Sequence, residues 1–350
     1  MNKSSKIYIA GHRGLVGSAI VRELQAKGYH NLICKTHTEL DLTNQEQTAR
    51  FFEREKPEYV ILAAAKVGGI VANNTQRATF IYDNLQIQNN VIHNSYLHGV
   101  KKLLFLGSTC IYPREAPQPL NENSLLTSPL EYTNEPYAIA KIAGMKMCES
   151  YNVQYGTNFI CAMPTNLYGI NDNFDLETSH VLPALLRKIY LAKLWQEEKY
   201  EQITTNTQTN SWEEAQTFLA RFGIGKDKVE IWGSGRPRRE FLFSDDLANA
   251  CVFLLENVDF KDLVKDTTEI RNTHINIGTG EDISIEELAR LICQIVGFDG
   301  ELFFNTNKPD GTMVKRTDVS KIGQLGWKCD VVLEEGIRNV YQLLQSVSKQ

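Results

Sequence analysis

Residues 6–20 read KIYIAGHRGLVGSAI, and the fold turns on how they are read. A short apolar run up to Ala10 feeds directly into glycines 11, 14 and 17, after which Leu15, Ala19, Ile20 and Leu24 recur at helical spacing. Strand, glycine turn and helix in that order open a dinucleotide-binding βαβ unit. Glycine lets the backbone come close to a pyrophosphate, whose charge then sits at the helix N-terminus.

Working outward, a second apolar run at 31–34 supplies the next strand. Some 20 residues past the glycines, an NAD site places a carboxylate for the ribose hydroxyls. Here Cys34-Lys35-Thr36-His37 offers none before Glu39, and Arg13 adds a cation inside the turn. Arg13, Lys35 and His37 would attract a 2′-phosphate, so the pattern favours NADP(H). Otherwise Lys35 and His37 are ordinary solvated cations.

A third strand is expected at 58–63, followed by Ala63-Ala64-Ala65, small enough for a nucleotide to lie above. Residues 73–98 form one long helix, apolar around much of its circumference and suited to a dimer interface. The fourth strand, Leu103–Leu106, runs into Gly107-Ser108-Thr109-Cys110. Ser108 and Cys110 therefore stand at the strand's C-terminal edge, where open α/β sheets hold their ligands. In NEPYAIAKIAGM (134–145), Tyr137 and Lys141 share one helix face a turn apart. A cation beside a phenol favours the phenolate, lowering a pKa normally near ~10. Such a tyrosine suits protonation of an alkoxide as a carbonyl is reduced. By itself the spacing also describes a solvated lysine beside a packed tyrosine.

The β–α alternation up to residue 170 specifies an α/β, Rossmann-type doubly wound parallel sheet, 1–170, with a returning segment near 240–280. Residues 171–350 read as a smaller mixed α/β substrate domain. Within it, 196–228 is polar and reads as a flexible surface arm with one short helix at 212–222. Ser244 is expected to cap a helix bearing Asp245 and Asp246, and Ser284 to cap 285–296.

Composition excludes several classes. The 350 residues are 42% apolar and carry a net charge of −5, without the basic excess of a nucleic-acid binder. No stretch reaches the ~18 apolar residues of a membrane span. Seven scattered cysteines show no metal-like spacing and fit a reducing cytoplasm.

Together GHRGLVGS, AAAKVGGIVANN, GSTCIYP, NEPYAIAK, PTNLYG, SHVLPALLR, WGSG-x-P-x-REF, HINIGTG and KPDGT resemble the extended short-chain dehydrogenase/reductase family, specifically its GDP-L-fucose-forming branch. The similarity runs from about Lys6 to Trp327. It implies an enzyme that takes GDP-4-keto-6-deoxy-D-mannose, inverts carbons 3 and 5, and reduces the 4-keto group with NADPH, while the long apolar helix at 73–98 points to a homodimer. By the same resemblance, Tyr137 donates a proton to the 4-oxygen, Lys141 lowers its pKa and holds the nicotinamide ribose, and Ser108 hydrogen-bonds that oxygen. Cys110 and His180 are the acid/base pair for inversion, without a decision on which is base. A buried thiol and a helix-start imidazole are the plain alternatives.

The cofactor cradle would be Gly11, His12, Arg13, Gly14, Leu15, Val16 and Gly17, with Lys35 and His37 near the 2′-phosphate. Asp41 and Leu42 would flank the adenine. Ala64, Leu106, Gly107, Pro164, Thr165, Asn166, Leu167 and His180 would line the rest. Lys188, Trp232, Arg239 and Asp310 would meet the GDP-sugar, although Asp310 equally suits a Pro-Asp-Gly turn. His37 stands where close relatives carry Arg, and 196–228 is longer than the family's usual connection. A GDP-colitose-forming reductase and a non-catalytic NADP-binding regulator are the competing readings.

Overall fold

The computed structural model describes residues 1–265 and 267–347. The first half runs β1 (Ile7–Ala10), α1 (Leu15–Ala26), β2 (Leu32–Lys35), α2 (Gln45–Glu55), β3 (Tyr59–Leu62), α3 (Ile70–Thr75), α4 (Arg77–Leu97), β4 (Lys102–Leu106), α5 (Glu135–Tyr155) and β5 (Phe159–Pro164). There follow β6 (Asn166–Tyr168), α6 (Val181–Gln196), α7 (Tyr200–Thr207), α8 (Trp212–Arg221), β7 (Lys228–Trp232), β8 (Arg238–Arg239), β9 (Phe241–Phe243), α9 (Ser244–Asn257) and α10 (Phe260–Leu263). The chain ends with β10 (Ile275–Ile277), β11 (Ile283–Ser284), α11 (Ile285–Val296), β12 (Glu301–Asn305), β13 (Val314–Lys315), α12 (Ser320–Gln324) and α13 (Leu333–Val347).

Six strands form one sheet in the order β10-β5-β4-β3-β1-β2, every neighbour parallel. Both faces are covered, which is why the strands read as continuous apolar runs. In β1, Ile7 and Ile9 enter the layer packed by α1 and α9, while Tyr8 and Ala10 enter the layer packed by α2, α4 and α5. That alternation is the period of two of any strand. A second core, built on α6, α11 and α13, encloses Leu186, Ile189, Leu288, Ile292 and Ile337. Among the described residues no helix is long and apolar enough to cross a membrane.

Four expectations change. The helix expected at 73–98 breaks at Gln76 (φ −112°, ψ 37°) into α3 and α4. Its buried face is also more polar than expected. Asn84 donates to the Phe80 and Lys66 carbonyls, and Asn90 to the Leu42 carbonyl. Ser244 makes no capping bond, and its hydroxyl is buried without a partner among the described residues. Asp246 instead accepts from the amides of Asp330 and Val331. Ser284 caps α11 as expected, in a reciprocal box with Glu287.

The fourth change concerns 196–228, which is no flexible arm. It holds two helices, with Ser211 capping the second, and buries Ile203, Ala215 and Leu219 in the second core. Its polar composition concealed one apolar residue per turn on the inward side.

Candidate active site

β4 ends at Leu106, and the chain turns through Gly107 into a short 3₁₀ turn, Thr109–Ile111. Ser108 caps that turn, its Oγ accepting from the Cys110 amide at 3.3 Å. Accepting leaves the hydroxyl proton free to donate outward. Cys110 is buried, and desolvation pushes its thiol pKa up. The charges of Lys315 and Lys141 and the Ser108 hydroxyl oppose that shift.

α5 brings Tyr137 and Lys141 to the same strand end. Lys141 is 3% exposed and donates to the Leu106 carbonyl at 2.8 Å. Its nitrogen lies 5.6 Å from the Tyr137 ring centre. Tyr137 is not acidified as its spacing from Lys141 suggested. Burial, followed by Cys110, raises its pKa, and burial lowers that of Lys141 to about 8. Desolvation outweighs the cation because the ammonium is directed at a carbonyl rather than at the phenol oxygen.

The glycine turn is built to receive a dinucleotide. Gly11 has φ +87°, and a Cβ there would come within 2.7 Å of the Ala64 nitrogen. A Cβ on Gly17 would come within 2.1 Å of the Gly11 oxygen, so only glycine lets α1 pack onto β1. Gly14, the N-cap of α1, has no side chain to occupy the first-turn amides. Gly11, His12, Arg13, Gly14, Lys35 and His37 line one cleft together with Thr36 and Thr38. Within it Lys35 lies 3.5 Å from Glu39, and the exposed His37 lies 3.8 Å from Asp41. These cations and open amides suit a phosphorylated dinucleotide. At the opposite end Thr165 carries a buried hydroxyl with no partner among the described residues. The Asn166 amide is taken up by the Glu240 carbonyl at 2.8 Å.

The remaining candidates come from the second half of the chain. His180 is the N-cap of α6 but makes no side-chain capping bond. Crowding by surrounding protein, and then the charge of Lys315, lowers its pKa. Two turns on, Lys188 donates to the Glu230 carbonyl in the middle of β7, and burial lowers its pKa to about 8. Trp232 closes that strand 61% exposed, with the Lys308 ammonium 4.9 Å from the ring centre. Asp310 accepts from the Ser234 amide at 2.8 Å and the Ser234 hydroxyl at 2.7 Å, so it holds the turn that follows Trp232. Arg239 donates to the Arg238 and Thr312 carbonyls and faces no carboxylate within ion-pair distance among the described residues.

Two residues of this site went unnoticed in the sequence. Lys315 pairs with Arg239 across β13 and β8 and makes no ion pair or side-chain hydrogen bond among the described residues. It is the charge that both Cys110 and His180 sense. Glu240 is fully buried and accepts from the amides of Thr279, Gly280 and Thr317. It thereby ties β8, the turn after β10 and the strand bearing Lys315 together. KPDGTMVK and RREF contain both residues, but neither stands at a recognisable local spacing.

Residues 7–278 match the NAD dependent epimerase/dehydratase family. The chain is 53% identical to GDP-L-fucose synthase 1 of Arabidopsis thaliana over 340 residues, covering 97% of this chain and 93% of the relative. Among solved structures it is similar to DdhaC, at 61% identity and TM-score 0.89, covering 100% and 99% of the two chains. It is also similar to a GDP-D-glycero-L-gluco-heptose synthase from Campylobacter jejuni determined in the presence of NADPH, at 54% identity, TM-score 0.95 and 99% coverage of both.

Proposed function

The chain belongs to the NAD dependent epimerase/dehydratase family, and we propose that within it the protein converts GDP-4-keto-6-deoxy-D-mannose to GDP-L-fucose, inverting carbons 3 and 5 before reducing the 4-keto group. The observation that carries this reading is the meeting of Ser108, Cys110, Tyr137 and Lys141 at the end of β4, with Lys315 electrostatically linking Cys110 to His180. The identity to named GDP-L-fucose synthases supports the same substrate.

A carbon beside a carbonyl loses its proton as an enolate, and a second group returns a proton to the opposite face. Cys110 and His180 are the two groups. When the C–H bond breaks, its electron pair moves onto the 4-oxygen, where the Ser108 hydroxyl donates a hydrogen bond. When bound, NADPH would supply the hydride for carbon 4. Tyr137 gives its proton to the 4-oxygen, and a phenol of raised pKa is in the protonated form this step needs. Lys141 would hold the ribose next to Tyr137, and Arg13 and Lys35 would hold the 2′-phosphate. Arg239 and Lys188 would neutralise the diphosphate, and Trp232 would offer its flat face to the base.

A second reading is favoured by the 54% identity to the heptose synthase: the same steps on a GDP-4-keto-heptose. Side-by-side NADPH oxidation on the two ketosugars tests both, with the product configuration read by NMR. Turnover of neither ketosugar would remove the enzymatic reading. A homodimer through α4 and α5 is supported by exposed Tyr82, Leu97, Ile139, Val153 and Tyr155 on those helices. A cytoplasmic setting is supported by seven unpaired thiols. Sedimentation and fractionation test these two points.

A further inference from the structure

The α7–α8 hairpin has no part in the chemistry above, yet its contacts converge on the segment that leads into His180. That segment, residues 172–179, is a preset turn. Asp175 Oδ1 accepts from the Thr178 amide at 3.0 Å and the Thr178 hydroxyl at 2.7 Å. The Asn173 side-chain amide donates to the same hydroxyl at 2.9 Å. The Ser179 amide donates to the Asp175 carbonyl at 2.8 Å, and the chain then enters α6 at His180.

One side of this segment is wedged against Gly69, where an added Cβ would lie 3.2 Å from the Thr178 oxygen. On the other side stands Arg187, seven residues past His180 on the same helix. Its Nη1 donates to the Phe174 carbonyl at 3.0 Å. Its Nε donates to Asn206 Oδ1 at 2.9 Å, and its Nη2 to the Asn206 carbonyl at 2.6 Å. Phe218 of α8 offers its ring 5.8 Å from the guanidinium. Burial lowers the Arg187 pKa, and Asp175 gives only a more distant attraction. Among the described residues its hydrogen-bond acceptors are neutral, and it makes no ion pair. A half-buried guanidinium satisfied by two neutral segments joins those segments together. Arg221 of α8 adds an ion pair to Glu177. Trp212 of α8 packs edge-on against Trp195 and Tyr200, fixing the hairpin to the end of α6.

The His180 ring has no hydrogen-bond partner among the described residues, so its position follows from the backbone that delivers it. We propose that the α7–α8 hairpin is a positioning device for His180, acting through Arg187, and that it sets how completely the sugar is inverted before it is reduced. Arg187 is here a positioning residue, not a catalytic one. The proposal rests on the epimerase reading above. A displacement of about 1 Å can cost roughly 10²-fold in a step that depends on alignment.

The test is the ratio of GDP-sugar reduced without inversion to GDP-sugar reduced after inversion. It is measured with NADPH and GDP-4-keto-6-deoxy-D-mannose in deuterated water, for wild type, Arg187→Met and Phe218→Leu. The ratio does not depend on how much enzyme is folded, so loss of stability alone leaves it unchanged. We expect it to rise about 10-fold or more in Arg187→Met and less in Phe218→Leu. Deuterium at the sugar carbons should fall in parallel. An unchanged ratio in Phe218→Leu and in Arg187→Met, or in Phe218→Leu with Arg221→Gln should Arg187→Met not fold, overturns the proposal. Failure of wild type to turn over the ketosugar removes the functional reading and this inference with it. Wild-type turnover with unchanged variant ratios removes the inference alone.

Discussion

Lys141 donates its ammonium proton to the Leu106 carbonyl at 2.8 Å, tying the helix that bears Tyr137 to the strand end that bears Ser108 and Cys110. The bond serves geometry at a cost in solvation, because the cation is almost wholly removed from water.

Replacing Lys141 by Met should therefore abolish NADPH oxidation without destabilising the fold at neutral pH. The folded pKa of about 8 lies below the unfolded value of 10.5. Between those values the unfolded chain holds the extra proton, so this group makes stability rise with pH across that window and disfavours folding below it. Thermal unfolding of Lys141→Met against wild type should show the variant at least as stable at pH 7. Its advantage should shrink as pH climbs past 8.

Tyr137→Phe keeps the ring and its edge-on contact with Phe80 but removes the proton donor. Reduction should fall by about 10²- to 10⁴-fold while NADPH still binds, as fluorescence titration would show. Deuterium exchange at the inverted carbons should persist. Its loss would place Tyr137 in the inversion chemistry as well.

Lys315→Met removes the foremost charge opposing the raised pKa of Cys110. The thiol should then ionise at higher pH, which lowers the thiolate fraction near neutrality. Alkylation of Cys110 by iodoacetamide, followed by peptide mass across a pH series, reads this directly. An unmoved half-point would rule out the electrostatic link.

Arg13→Ala and Lys35→Ala should each raise the KM for NADPH about 10-fold and leave that for NADH nearly unchanged. His37→Arg should sharpen the NADPH preference only a few-fold, because this side chain is 83% exposed.

Glu240→Gln puts an amide N–H₂ where backbone amides already point. Destabilisation of about 2–4 kcal/mol is expected from urea unfolding, since one donor then faces another in a closed space. Glu240→Ala should cost no less.

Local periodicity and local chemistry made much of this protein legible in one dimension. The run into Gly11, Gly14 and Gly17 specifies strand, turn and helix because close backbone approach there admits no Cβ. Tyr137 and Lys141 share a face because a helix repeats every 3.6 residues. Apolar strands separated by helices imply a parallel sheet covered on both sides. Tertiary structure alone decided what lies between distant segments. It seated Lys315 beside Arg239 and within electrostatic reach of Cys110, a residue 205 positions earlier in the chain, by pairing β13 with β8. Folding residues 200–221 against α6 also depended on it, because the buried faces of those helices are too sparse to stand out from their polar sequence. The raised pKa of Tyr137 was settled in the same way. Spacing says which cation is near, but burial, which depends on the whole fold, sets the larger energy.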